Sequence, residues 1–374
     1  MSAEANEIEQ LALMALLRVD GFGPIRSRQL VDHVGSARGV WESDRTAFDA
    51  LSGVDGKALV NRLDAFRRVA FDEAEQQFRI CNERNIRILS LWDADYPPML
   101  KACADAPLVL YVRGRLPTPG GRVVSVIGTR QATSYGLSAA ARIIEVLAAC
   151  GATIVSGLAY GIDIQAHRQA LAHSAPTIGV LGSGHGSVYP SLHRKEARQM
   201  IESGGALISE YDHNSGPDRE HFPQRNRIIA GLAEATIVVE AGPEGGAWIT
   251  ARLANDYDRE VLAVPGHWEH RYSQGCHQLI SRHLAALLPS PESIPQLLGW
   301  DEQPQAEVRL FPPESQEVAL ALSASRDPMH FDELANVLGA APAQLQALLL
   351  ELELKQLVQM LPGRYVKMQG RLAR

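Results

Sequence analysis

Between about residues 86 and 288, short apolar runs typical of β-strands alternate with stretches whose apolar residues recur at helical spacing. Eight runs have the composition of buried strands: IRILSL, LVLYV, VVSVI, ATIVS, TIGVL, ALIS, ATIVVE and EVLAV. Strands that alternate with helices usually pair in parallel through crossover connections. The pattern therefore predicts an α/β domain with a doubly wound, mainly parallel sheet over residues 86–298. Ligands of such sheets bind beyond the carboxyl ends of the strands.

The segment before the sheet, residues 1–85, has a helical pattern from Ile8 to about Asn85. Two glycine-containing turns interrupt this pattern, GFGP at 21–24 and GVDG at 53–56. A small all-helical domain is predicted, and its two turns resemble a doubled helix-hairpin-helix or SAM-like arrangement, whose hairpin amides can touch a DNA phosphate. The alternative is that the turns only join packed helices.

The end of the chain predicts a third domain. Residues 299–314 are rich in proline, glutamine and acidic residues, and are predicted to form a linker. Residues 315–374 fit a helix, a turn, two further helices and a short hairpin, an order that resembles a small winged helix. Its presumed recognition helix contains no arginine and only one lysine, Lys355. A role in protein docking is therefore at least as well supported as DNA contact.

The amino-acid composition excludes few kinds of binding partner. The chain has 374 residues, of which 46% are hydrophobic, as in multidomain globular proteins. Its formal net charge is −7, so a surface that binds a polyanion must be a local patch. Residues 122–231 contain 10 lysines and arginines against 8 acidic residues. Affinity for a polyanion would therefore depend on where the arginines lie, and it should fall as salt rises.

The four cysteines, Cys81, Cys103, Cys150 and Cys276, form neither a CxxC pair nor a zinc-type pattern with histidine. We expect free thiols and no metal ion. The acidic N-terminus lacks the basic start and the cleavage site of a signal peptide, and no apolar run reaches membrane-spanning length. These features predict a cytoplasmic protein without membrane contact.

The strand VVSVI opens into GTR at 128–130, and an alanine-rich helix begins near 135. Backbone amides at a helix start attract phosphate. Further along, Arg219 and the FPQRNR segment at 222–227 can add positive charge and an aromatic face on which a base stacks. A GxGxxG motif in the required context and a GxxxxGK[ST] motif are both missing, so no nucleotide cofactor is expected.

Ten short motifs follow one another in order: VIGTR, SYG, SGLAYGID with AH, TIGVLGSG, YP, LISE, FPQRNRIIAGL, VVEA, TA and VPG. Each motif is weak alone, but together they resemble the DNA-processing protein A family, also called Smf. With the helical front and the winged-helix-like tail, the resemblance covers nearly the whole chain. The chain departs from the family pattern at GGAW (245–248), His277 and RHL (282–284), so the rim is expected to differ there.

The resemblance implies a Rossmann-like domain that forms homodimers, in a cytosolic bacterial protein. Members of the family bind single-stranded DNA during natural transformation and load the RecA recombinase onto it. The resemblance therefore predicts single-stranded DNA and RecA as partners, and no cofactor.

The candidate DNA-binding residues lie after strands or in FPQRNR: Gly128, Thr129, Arg130, Gly157, Gly182, Ser183, Gly184, Phe222, Arg225, Asn226 and Arg227. Arg130 is predicted to pair with a backbone phosphate. Of Arg225 and Arg227, one is predicted to meet phosphate and the other to brace the loop. Phe222 either stacks on a base or anchors its loop. Gly182, Ser183 and Gly184 would let a nucleotide approach the backbone closely.

Other polar residues near strand ends are given structural roles. Asp163 is predicted to cap the helix that contains His167. Glu240 would be costly if buried without a partner, so a hydrogen bond to the 242–246 loop is expected. His185 has no obvious partner. No serine or cysteine nucleophile with a base and an orienting acid is recognisable, so no catalytic residue is predicted.

Three functions compete. The first is a non-enzymatic protein that holds single-stranded DNA without reading its sequence. The second is an enzyme on small nucleotides, since nucleoside-monophosphate phosphoribohydrolases share the general fold. Their PGGxGTxxE hallmark is only partly matched by GPEGGAWIT at 242–250. The third is an adaptor whose tail and dimer surface are its working parts.

Overall fold

The structure is a computed structural model that describes residues 3–49, 55–300, 315–324, 328–355 and 357–368. It divides into two units, Met1–Ile294 and Pro295–Arg374. Most of the predicted linker, residues 301–314, and half of the second glycine turn, residues 53 and 54, lie outside the described residues. The domain boundaries placed after residues 85, 298 and 314 stay predictions.

The described part of residues 1–85 is all helical, as predicted. Its helices are α1 (Ala3–Leu16), α2 (Pro24–Val34), α3 (Ala37–Glu42), α4 (Arg45–Phe48) and α5 (Gly56–Glu83). The side chains of Ser36, Asp44 and Asp55 accept hydrogen bonds from backbone N–H groups in the first turns of α3, α4 and α5. Such caps satisfy N–H groups that have no partner within the helix.

These helices belong to the same unit as the sheet. Gln10 on α1 donates from Nε2 to the carbonyl oxygen of Ile88 at 2.9 Å. Gln77 on α5 accepts at Oε1 from the backbone N–H of His213 at 3.0 Å. One hydrophobic core contains buried residues of both parts. The helical region therefore packs directly on one side of the sheet unit.

The sheet has nine strands, one more than predicted: β1 (Arg87–Ser90), β2 (Val109–Gly114), β3 (Val123–Ile127), β4 (Thr153–Ser156), β5 (Thr177–Val180), β6 (Ala206–Ser209), β7 (Ala235–Val238), β8 (Glu260–Ala263) and β9 (Ala286–Leu287). Their order is β1-β2-β6-β5-β4-β3-β7-β8-β9. Pairing is antiparallel between β1 and β2 and between β2 and β6, and parallel elsewhere. The mainly parallel, doubly wound sheet is confirmed. The extra strand, β9, has only two residues, and both are exposed.

Seven helices of the described residues accompany the sheet: α6 (Pro98–Lys101), α7 (Ser134–Ala149), α8 (Ile162–Ala172), α9 (Arg194–Glu202), α10 (His221–Leu232), α11 (Gly246–Asp256) and α12 (Gln274–Ser281). A short helix, α13 (Ile294–Leu297), spans the boundary between the two units. Every residue of β3 to β7 is buried, as is typical of a parallel sheet covered on both faces. The strand order reverses at β3, which lies between β4 and β7. This reversal is the topological switch point of the sheet.

The second unit has the order of elements that the sequence predicts for a winged helix. It contains α14 (Gln316–Ala324), β10 (Met329–His330), α15 (Phe331–Leu338), α16 (Pro342–Leu354), β11 (Val358–Leu361) and β12 (Tyr365–Met368). Its three strands pair in the order β10-β12-β11. Of the described helices, none by itself is long and apolar enough to cross a membrane; α15 and α16 reach that length only together, across a bend of 110°.

Candidate functional site

A cleft of about 810 Å³ lies at the switch point, beyond the carboxyl ends of β3 and β7. We call it the switch-point cleft. Its charged and aromatic lining residues are Arg130, Asp163, Tyr189, Arg219, Phe222, Arg225, Glu244, Arg271 and Tyr272. They follow six different strands, β3 to β8. Four arginines face two carboxylic acids in this lining, so the cleft is locally basic although the chain is acidic overall.

Arg130 and Phe222 meet at the mouth of the cleft. Arg130 follows β3 and is exposed, and its Cζ atom lies 5.3 Å from the centroid of the Phe222 ring. Tyr189 also contacts the Phe222 ring, with the two ring centroids 5.6 Å apart. No carboxylate of the described residues forms an ion pair with Arg130. The cleft therefore offers a free guanidinium beside two aromatic rings.

Arg225 lies deeper, with only 3% of its surface exposed. It is the fifth residue of α10, and its guanidinium donates to the carbonyl oxygens of Gly157, at 2.7 Å, and of Val180. Burial lowers its pKa to about 10, and the nearby carboxylate of Asp163 opposes this shift. Arg225 therefore ties α10 to the ends of β4 and β5, and braces the cleft from behind.

Arg227 is not among the residues that line the cleft. It pairs with Glu210, and both side chains are largely buried. Burial raises the pKa of the Glu210 carboxyl, and Arg227 opposes this shift. Both arginines that were predicted to divide phosphate contact and bracing between them are held by other groups of the protein, and phosphate contact by either stays a prediction. Asn226, which lies between them, does line the cleft, and its Nδ2 atom lies 3.5 Å from the Gly246 carbonyl oxygen.

The glycines after β4 and β5 are close to these side chains. A Cβ atom on Gly157 would lie 2.7 Å from the Arg225 guanidinium, and one on Gly182 would lie 2.8 Å from the Phe222 ring. Ser183 is buried and donates to the carbonyl oxygen of Ser187. These residues, like Gly184, are not among those that line the cleft, whereas 128–130 are. The structure gives the glycines a packing role; direct contact with DNA stays a prediction for them.

The prediction that Asp163 caps α8 is wrong. Gly161 is the N-cap residue, with φ 75°, and no side chain caps this helix. Asp163 lies in the first turn, where its Oδ2 atom accepts from the backbone N–H of Gly157 at 3.1 Å. Burial raises its pKa, which the charge of Arg225 opposes. Asp163 therefore stabilises the turn after β4 and supplies negative charge beside Arg225.

Two histidines near the strand ends are buried and do not line the cleft. His167 Nδ1 lies 2.7 Å from the Thr177 hydroxyl, and burial lowers the pKa of His167 to about 3. His185, for which no partner was predicted, has Nε2 2.9 Å from the carbonyl oxygen of Tyr111. Its pKa is lowered to about 4, again by burial. Both histidines are therefore neutral at pH 7.

The predicted partner of Glu240 is also wrong. Glu240 is 2% exposed, and its carboxylate accepts from the hydroxyl of Thr133 at 2.6 Å and from its backbone N–H at 3.0 Å. Thr133 is the N-cap residue of α7, and a Cβ atom on Gly136 would collide with the Glu240 carboxylate. A carboxylate of the protein thus occupies the start of α7, where the sequence predicts phosphate binding.

Two family models match most of the chain. A family model described as DNA recombination-mediator protein A matches residues 87–299, and a model of the DprA winged helix domain matches residues 301–364. Protein Smf from Synechocystis is 33% identical to the chain, and the alignment covers 95% of the chain and 98% of the relative. The chain belongs to the DNA-processing protein A family.

Two solved structures of family members resemble the fold. The X-ray structure of DNA processing protein A from Streptococcus pneumoniae has a TM-score of 0.65 and 29% sequence identity, over 76% of this chain and 96% of that chain. A structure of the Helicobacter pylori protein has a TM-score of 0.51 and 28% identity, over 57% of this chain and 97% of that chain. The Helicobacter structure is described as giving insight into how that protein binds single-stranded DNA.

The departures from the family pattern lie beside the cleft. Trp248 and Arg282 line a groove of about 450 Å³ that shares Pro243, Glu244 and Ile249 with the switch-point cleft. His277 Nε2 lies 3.0 Å from the carbonyl oxygen of Gly266 and so holds the segment after β8. Of the positions named, Gly245, Gly246 and Ala247 line the cleft itself, and an altered rim stays a prediction for the others.

Among the aromatic residues and arginines of the lining, sequence reasoning missed three as candidates. Tyr189 was visible only as part of a Tyr-Pro motif, while Arg271 and Tyr272 lie several residues beyond the VPG motif that follows β8. Arg271 and Tyr272 are adjacent, and the Arg271 Cζ atom lies 5.9 Å from the Tyr272 ring centroid. An arginine next to an aromatic residue after a buried strand is the signal that would have found this pair.

Proposed function

We propose that the switch-point cleft binds single-stranded DNA without reading its sequence. The observation that carries this proposal is the contact between Arg130 and Phe222, 5.3 Å apart at the mouth of the cleft. An unpaired guanidinium suits a phosphate, and an aromatic ring suits an unpaired base. Duplex DNA hides its base faces within the stack, so this combination favours a single strand.

The strand would meet phosphate-binding groups on more than one wall. Arg219 and Arg271 are exposed and line the cleft with Arg130. The start of α11 also faces the cleft, and no side chain caps it. Its N–H groups and helix dipole favour an anion. Phosphate contacts of this kind carry no sequence information, which is why sequence-tolerant binding is expected.

Bases would stack on Phe222 and Tyr189. The two rings are tilted by 47°, and Tyr189 is 45% exposed. Stacking of a base on an aromatic side chain contributes about 1 to 3 kcal/mol. Gly182 supports this arrangement because a side chain at that position would displace the Phe222 ring.

The test is fluorescence anisotropy with a labelled oligo-dT and with the matching duplex across a salt series. The wild type should prefer the single strand, and its affinity should fall steeply with salt. Arg130→Ala and Phe222→Leu should each weaken single-strand binding about tenfold or more, in line with the loss of a charged contact or of a stacked base. Arg142→Ala is the control, since Arg142 is exposed, pairs with Glu292 and lies outside the cleft lining.

If the Arg130→Ala and Arg142→Ala proteins bind single-stranded oligo-dT with equal affinity, the switch-point cleft is not the binding site. The nucleotide-hydrolase alternative gains no support from Glu240, because its carboxylate is buried and accepts two hydrogen bonds from Thr133. Release of free base from a nucleoside monophosphate by the purified protein would revive that alternative.

Family membership supports a finer proposal: the protein acts in the cytoplasm during DNA uptake, forms a homodimer through the sheet domain and loads RecA onto the bound strand. Sedimentation equilibrium tests the dimer. RecA loading is tested by the rate of RecA-dependent ATP hydrolysis on DNA coated with a single-strand-binding protein. The wild type should shorten the lag, and Arg130→Ala should not.

A further inference from the structure

A second basic groove lies beside the switch-point cleft and has no part in the site described above. It has a volume of about 650 Å³, and its charged or polar lining residues are Arg113, His185, Arg194, Arg198 and Glu202. We call it the arginine groove. Arg113 belongs to β2, and the two other arginines belong to α9. Two separate elements therefore direct positive charge into one groove.

Three arginines face one carboxylic acid, Glu202, in the arginine groove, so positive charge is in excess there. All three arginines are exposed, and none forms an ion pair in the part of the chain that the structure describes. Arg194 and Arg198 are four residues apart on α9, where like charges repel each other. Arg194 is also the first residue of α9, at the positive end of the helix dipole. A bound anion would relieve both unfavourable interactions.

His185 adds an unused polar atom to the groove. It is 7% exposed, and its Nε2 atom lies 2.9 Å from the carbonyl oxygen of Tyr111, so the proton of the neutral ring is on Nε2. Its Nδ1 atom is buried and has no hydrogen-bond partner among the described residues. A buried acceptor without a donor is costly. A ligand with both a phosphate and an N–H donor would satisfy this groove more fully than inorganic phosphate.

The arginine groove is continuous with the cleft along the chain. Val188 lines the groove and the next residue, Tyr189, lines the cleft. Tyr189 is the residue that lies against Phe222. The loop after β5 therefore contributes to both linings. A single strand bound in the cleft and lying along this loop would bring its flanking phosphates toward the arginines of the groove.

We propose that the arginine groove is a second phosphate-binding site, which holds the nucleotides that flank those in the switch-point cleft. This inference rests on the proposed function, because it assigns the groove to the same single strand. The proposal predicts that bound DNA contacts two sites, and that the length of the oligonucleotide decides whether it reaches both. A short oligonucleotide fills the cleft alone, whereas a longer one also reaches Arg113 and Arg198.

The experiment compares the affinities of the full-length protein for oligo-dT of about six and about twenty nucleotides, lengths on either side of usual single-strand site sizes. Wild type should bind the longer oligomer at least tenfold more tightly. Arg198→Ala and Arg113→Ala should each weaken binding of the longer oligomer about fivefold, and should lower its log–log salt slope by about one. Binding of the short oligomer should not change in either variant.

Lys195→Ala is the matched control, because Lys195 is exposed on the same helix and does not line the groove. If Arg198→Ala and Lys195→Ala bind the longer oligomer equally, the groove proposal is wrong while the cleft proposal stands. If wild type binds neither oligomer, both proposals fail. Pyrophosphate could stabilise the wild type but not Arg198→Ala, while oligomer length has no effect on affinity. This outcome would indicate that the groove binds a small phosphorylated ligand and not the DNA strand.

Discussion

The carboxylate of Glu240 accepts two hydrogen bonds from Thr133, one from its hydroxyl at 2.6 Å and one from its backbone N–H at 3.0 Å. These residues are 107 positions apart in the chain. The contact closes the start of α7 with a negative charge of the protein itself. In the proposed complex, phosphate groups would instead meet Arg130 and the uncapped start of α11.

Removal of the Glu240 carboxylate should destabilise the protein. In Glu240→Ala, the half-buried hydroxyl and N–H of Thr133 lose their acceptor, so we expect a loss of about 1 to 3 kcal/mol in the free energy of unfolding. Urea unfolding followed by circular dichroism measures this loss. Ser134→Ala, a change at an exposed neighbour, should stay within about 0.5 kcal/mol of wild type. An unchanged unfolding midpoint for Glu240→Ala would show that this contact does not stabilise the fold.

Substitution of Arg225 should mainly lower the stability of the fold, whereas substitution of Arg130 should mainly weaken DNA binding. Arg225→Ala removes the donor to two carbonyl oxygens and leaves the buried Asp163 without its nearby positive charge, so a loss of about 3 to 5 kcal/mol is expected. Arg130→Ala changes an exposed side chain, and its stability should lie within about 0.5 kcal/mol of wild type. Urea unfolding of both variants measures these losses, and anisotropy with oligo-dT measures binding. A stable Arg225→Ala protein that no longer binds the strand would mean that Arg225 contacts DNA directly.

Acid should destabilise the fold through its buried histidines. The folded-state pKa of His167 is about 3, below the value of about 6.5 for an unfolded chain. The unfolded state therefore takes up a proton between these values that the folded state does not. The contribution of neutral His167 to the free energy of unfolding is fully present above pH 6.5. It is lost as the pH falls, and the loss is about 2 kcal/mol at pH 5. The same argument applies to His185, with a folded-state pKa of about 4.

The measurement is urea unfolding at pH 7 and pH 5, with His167→Gln beside wild type. Acid also protonates Asp163 and Glu210, whose raised pKa values act in the opposite direction. The effect of His167 is the difference between the two proteins in the loss of unfolding free energy from pH 7 to pH 5. The variant should lose about 2 kcal/mol less than wild type. An imidazole proton shift of His167 that moves between pH 7 and pH 5 in folded wild type would contradict this account.

The strands and the order of the elements could be predicted from local sequence alone. A run such as VVSVI is apolar throughout because β3 is buried on both faces, and this property is visible without knowledge of its neighbours. The position of Arg130 at the carboxyl end of β3 follows directly, and so does its place at the cleft. The two-residue strand β9 is too short and too exposed to leave such a pattern.

The sequence by itself determined the doubly wound sheet and the winged-helix order of elements in the tail. It also identified the arginines and the aromatic residue that could bind a strand of DNA. Tertiary structure decided which of them face the cleft. Arg225 is buried because the carbonyl oxygens of Gly157 and Val180, 68 and 45 residues away, converge on its guanidinium. Periodicity depends on near neighbours in the chain, whereas the partner of a buried charge depends on which distant segments the fold brings together.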